Sequence, residues 1–201
     1  MLILLSIALM LICAFVYLRE GLFTAVCMCV NVFLSGLIAF NYFEPLAGGI
    51  EVLIEGTWMQ GYEDFGCMLG LFCVCLGILR TMTNRMNNEE VEYGPTLNAV
   101  GGAAVALVTG YLFAGFLICA MQTLPWHQNF LGFEPYRENE SPMRRLLPPD
   151  RVWLALMHRA GTYGLGRADN LPTFDVEGTF ESYYFHFRRY ADTPAGEAQK
   201  Q

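Results

Sequence analysis

Residues 99–121 read AVGGAAVALVTGYLFAGFLICAM, with no Asp, Glu, Lys, Arg or His in the run. At about 1.5 Å rise per residue this stretch predicts a helix roughly 34 Å long, enough to cross a hydrocarbon core of about 30 Å. Residues 1–18, 22–42 and 65–79 lack the same five residue types, apart from Arg19 just beyond the first. As helices they would span roughly 27, 31 and 22 Å. The reading is an all-α membrane protein with four transmembrane helices in residues 1–125, and a small, partly helical extramembrane tail in 126–201. The third span is the shortest, and needs residues 62–64 or 80–81 to reach the interface.

Composition agrees. Apolar residues make up 54% of the 201-residue chain, and the mean hydropathy is +0.35. The net charge of −7 shows no basic patch of the kind that binds nucleic acid, so the partner read from composition is the lipid bilayer. Cys13, Cys27, Cys29, Cys67, Cys73, Cys75 and Cys119 all lie inside the apolar stretches. In the pairs Cys27/Cys29 and Cys73/Cys75 the side chains diverge by about 200° around a helix, so neither pair chelates one metal ion while helical. They read as small apolar packing residues. The first stretch has no basic residue before it and is followed after three residues by the next span, so it is read as a retained helix, not a cleaved signal.

The connections are informative. Arg19-Glu20-Gly21 is long enough only for a tight hairpin. Residues 43–64 carry five acids and no base, and 50–59 suit a short interfacial helix with Trp58 at headgroup depth. Arg19 in the first loop and Arg80 and Arg85 in the third put those loops in the cytoplasm, with the N-terminus and tail on the other side. Leu124-Pro125-Trp126 marks the exit from the fourth helix. In the tail, Asp150 caps an amphipathic helix over 151–160. Phe180, Tyr183, Tyr184, Phe187 and Tyr190 recur at helical spacing over 179–190. That aromatic face predicts docking, led by Tyr183, Tyr184 and Phe187, onto the membrane surface, the membrane domain or a second subunit.

Within the spans, Gly102, Ala106, Gly110 and Ala114 repeat every four residues, and Gly66 and Gly70 share that register. Small faces let helices approach closely where lipid supplies no hydrophobic drive. They predict close packing of helices three and four, with an oligomer contact or a pore-lining face as alternatives. The intramembrane polar residues Asn31, Ser35 and Thr109 read as interhelical hydrogen-bonding groups. No charged residue marks a proton path. His127, His158 and His186 stand about 30 residues apart and suggest no metal site. Gly161, Gly164 and Gly166 follow no strand, so they form no nucleotide loop. No cofactor is implied.

Two stretches resemble the colicin V production family of bacterial inner-membrane proteins. The family's first hairpin reads near R-G-x-x-x-E; here Leu18-Arg19-Glu20-Gly21 stands in that place, with Ala25 for the glutamate. The entry to helix four is similar to D-R-x-x-G-x-x-x-G-x-x-R-G. Gly102 and Gly110 match glycines and Ala106 replaces one; Asn98 takes the aspartate place, and Ala99 and Thr109 replace the arginines. The resemblance covers roughly 1–125. It implies a non-enzymatic envelope protein concerned with toxin production, export or envelope maintenance, acting through contacts with an envelope-protein partner or as a homo-oligomer. The alternative is a small oligomeric channel or transport subunit, lined by Asn31 and Ser35 or by the glycine face of helix four.

Overall fold

The computed structural model describes residues 2–17, 21–54, 61–86, 94–125 and 148–160, together with Phe180 and Tyr184. The described segments form α1 (Leu2–Tyr17), α2 (Leu22–Ile54), α3 (Glu63–Met86), α4 (Pro95–Gln122) and α5 (Pro149–Ala160). Helices α2, α3 and α4 are long and apolar enough to cross a membrane; α1 is a shorter apolar helix. The chain is thus an all-α membrane protein, with three full-length spans among the described residues. The shortest of the four apolar helices is α1, not the third as the charge-free runs predict.

The gain in α3 comes from its ends. Glu63 and Asp64 occupy its first turn, where unpaired N–H groups and the positive end of the helix dipole favour carboxylates. The Gly61 N–H donates to Glu63 Oε2. At the other end the hydroxyls of Thr81 and Thr83 donate back to the carbonyls of Gly77 and Leu79 at 2.7 and 3.0 Å. That lets the helix carry polar residues as far as Met86, with Arg85 in the last turn.

Helix α2 overrides a second expectation. It runs through Pro45 to Ile54, so residues 50–54 continue α2 instead of starting a separate helix; Trp58 lies outside the described residues. An interior proline costs a helix about 3 kcal/mol. Phe43 and Ala47 are buried in the core, with Ile50 packed against it. Their spacing of four and three residues puts one apolar face on the core on both sides of the proline, which offsets that cost.

The bundle is ordered α3, α2, α4, α1. Gly110 of α4 lies on α1: a Cβ there would stand 2.6 Å from Met10 Cα and 3.1 Å from the Cys13 Cβ. Gly102 lies on the turn before α2, where a Cβ would be 3.2 Å from the Gly21 carbonyl carbon. Residues 10 and 21 therefore meet 110 and 102, so α1 and α4 run antiparallel. At Gly66, Gly70 and Gly77 of α3 an added Cβ would find nothing within 4 Å. The small faces of α3 and α4 thus do not meet each other, contrary to the prediction from their shared register; α4 uses its own against α1 and the α1–α2 turn. Contact between α3 and α4 runs through Phe72, stacked on Phe116 at 4.0 Å and on Phe113 at 5.8 Å. Leu4, Leu11, Ile12 and Phe15 of α1 and Val74 and Ile78 of α3 point outward, an apolar exterior suited to lipid.

Gly110→Ala should cost about 1–3 kcal/mol through overpacking against α1, seen as a lower thermal unfolding midpoint in detergent. Gly70→Ala should leave that midpoint unchanged or slightly higher. Equal effects at the two positions would contradict the α1–α4 packing.

Candidate functional site: a helix seated between α2 and α4

Two glycines define this region. Gly36 on α2 and Gly115 on α4 have backbone surfaces directly covered by α5. A methyl group at Gly36 would overlap the Trp153 ring, and one at Gly115 would overlap the Pro149 carbonyl oxygen and stand 2.9 Å from the Trp153 Cβ. Trp153 is fully buried, and its ring meets Phe40 and Phe116 edge to face at 6.1 and 5.9 Å. Phe40 also meets Phe116 at 6.1 Å and Phe180 at 6.0 Å. Edge-to-face aromatic pairs contribute about 0.5–1.5 kcal/mol each beyond area burial.

Polar contacts fix the start of α5. Gln122 Nε2 donates to Asp150 Oδ2 at 3.2 Å, and the Cys119 thiol donates to the Asp150 carbonyl at 3.6 Å. The sequence predicts Asp150 as the cap of an extramembrane helix. It lies instead in the first turn, buried, with its carboxylate turned to α4. The tail helix is therefore part of the packed bundle and does not stand apart from it.

Phe180 and Tyr184 pack on the same core. Phe180 and Tyr184 are buried in the main core, with ring centroids 4.8 Å apart, and the Tyr184 hydroxyl donates to Asp64 Oδ2 at 3.0 Å. Of the predicted docking residues, Tyr184 thus lies on the protein's own membrane domain. Tyr183 and Phe187 lie outside the described residues.

The intramembrane polar residues are held within the subunit. Asn31 Nδ2 donates to Thr83 Oγ1 at 3.1 Å, linking α2 to α3, and Thr109 Oγ1 donates to the Val105 carbonyl at 2.9 Å. Ser35 is fully buried, one turn beyond Asn31. Ala106 and Ala114 are likewise buried, Ala106 against Ala25 of α2.

Asn98 has a role that sequence reading did not assign. Its Oδ1 accepts the Leu22 N–H at 2.7 Å, satisfying a first-turn donor of α2 from 76 residues away, as an N-cap side chain does locally. Gly21 makes room for it: at φ +91° a residue with a Cβ would be strained and would press on the Asn98 amide at 2.8 Å. The available signal was an asparagine at the entry to α4 in the aspartate place of the hairpin-bearing family.

Trp153→Ala should cost about 3–5 kcal/mol. If α5 opens locally, trypsin cleavage at Arg151 should quicken by about two to four orders of magnitude. Tyr184→Phe should cost about 1–2 kcal/mol through the lost hydrogen bond to a carboxylate, read as a smaller fall in thermal midpoint.

Among the described residues no three His, Cys, Asp or Glu side chains converge as metal ligands. No curated protein and no solved structure matches the chain significantly. The family model described as Colicin V production protein matches residues 3–142, a stretch that takes in α1 to α4 and stops short of α5. The chain therefore belongs to the colicin V production protein family.

Proposed function

We propose that this protein serves colicin V-type toxin production or export, or envelope maintenance, as a multi-pass component of the bacterial inner membrane. It acts through protein–protein contacts and not as an enzyme. Its partner is an envelope protein or a second copy of the chain. Arg80 and Arg85 lie toward the end of α3 that meets the starts of α2 and α4, and the positive-inside tendency assigns that end to the cytoplasm.

The observation that carries this reading is where the small and polar residues are used. A pore would need Asn31, Ser35 or the α4 glycines to face a lumen. Asn31 is bonded to Thr83, Ser35 is buried, and Gly102 and Gly110 are pressed against the α1–α2 turn and α1. The outward face of α3 differs: Gly66, Gly70 and Gly77 have open space above them, beside exposed Cys73, Val74 and Ile78. That face supports close approach of a second membrane helix.

Gly70→Leu tests the reading, since the first carbon of a side chain there meets nothing in its own chain. Native mass spectrometry from nanodiscs should show the unaltered protein with a second copy or a stoichiometric envelope protein. The variant should be alone, with an unchanged thermal midpoint. A variant that keeps the complex, or an unaltered protein that conducts ions in liposomes, would overturn the proposal.

A further inference from the structure

Three helices bear on how deep α5 lies. On α2, the Trp153 ring covers Gly36, eight residues before Glu44, where the charged part of that helix begins. On α4, Trp153 covers Gly115, seven residues before Gln122 at the helix end. On α3, Phe72 stacks on Phe116, which itself meets Trp153, and lies eight residues beyond Asp64 in the first turn. At about 1.5 Å per residue, each route places Trp153 roughly 10–12 Å inside the polar ends of the helices. Half the hydrocarbon core is about 15 Å.

A helix seated at that depth with one face on α2 and α4 must present its other face to lipid unless protein covers it. The outward residues fit lipid. Val152 is 41% exposed and Ala155 is exposed, whereas Trp153 and Met157 are buried. The exposed apolar exterior of α4 and α2 includes Val108 and Ile38. Arg159 is exposed in the last turn, and in this placement its stem must carry the guanidinium toward the headgroups. Asp150, at the other end, is held by Gln122 at the polar end of α4.

We propose that α5 is a half-inserted membrane helix whose outer face, Val152 and Ala155, contacts the acyl chains of the leaflet that receives the C-terminal end of α4. This helix lies beyond the family-matched stretch, and its placement does not depend on the toxin-related role. It differs from the expectation that everything after residue 126 is extramembrane.

The test uses the full-length protein in liposomes of neutral phospholipid, photolabelled in parallel with a lipid-soluble and a water-soluble diazirine, with labelled positions read by tandem mass spectrometry. Val152 and Ala155 should take up the lipid-soluble carbene within about twofold of Val108 and Leu11, which are exposed on α4 and α1. Their uptake of the water-soluble reagent should be at least about tenfold below that of Glu51. Strong labelling from water would overturn the proposal and place α5 outside the bilayer. Labelling by neither reagent would overturn it too, since protein rather than lipid would then cover this face.

Discussion

The seat of Trp153 is the constraint on which the rest of the structure depends. The indole lies directly on the α2 backbone only because Gly36 leaves it bare, and Gly115 gives the Pro149 carbonyl and the Trp153 Cβ the same close approach to α4. Phe40 and Phe116 then frame the ring, Phe72 stacks on Phe116 from α3, and Phe180 reaches Phe40 from the tail. One aromatic cluster thereby joins three spans and two tail elements. In lipid, where helices gain little from excluding water, this kind of close dispersion contact holds a bundle together.

A second junction works at the opposite end of the bundle. Gly21, in a left-handed conformation, lets the chain turn tightly before α2, and Asn98 fills the space beside it while accepting the Leu22 N–H. An amide oxygen accepts that bond as a carboxylate oxygen would, without placing a charge near lipid. Gly102 then lies flat on the same turn. The hairpin and the entry of α4, 76 residues apart in sequence, form one locked unit, and the two motifs that carry the family resemblance are the two halves of that contact.

These contacts bear on function by showing which surfaces are already in use. The glycine face of α4 and Asn31 of α2 are engaged within the chain, and Ser35 is buried inside it. On α3 the face of Gly66, Gly70 and Gly77, beside Val74 and Ile78, is small, apolar and uncovered. The tail covers the α2–α4 seam through Trp153 and contacts the start of α3 through Tyr184 and Asp64. Surfaces left for other molecules are therefore fewer than the linear pattern implies, and they sit on different helices.

The class of the protein was legible from the chain alone. Long runs without charge have no stable home but a bilayer, and the arginine–glycine break and the α4 glycines could be read as the hairpin and close-packing features of a known family. The four-residue spacing of Gly102, Ala106, Gly110 and Ala114 was equally plain, but their partner was not, because a small face states that something comes close without stating what. Folding settled the rest: α1 and the start of α2 are that partner, α2 continues through Pro45, and Asp150 turns to Gln122. The first and last of these rest on atoms far apart in the chain. The proline is tolerated because Phe43 and Ala47 on either side of it both find the core. The tail helix is held because two isolated glycines, with no repeat to announce them, face one tryptophan across α2 and α4.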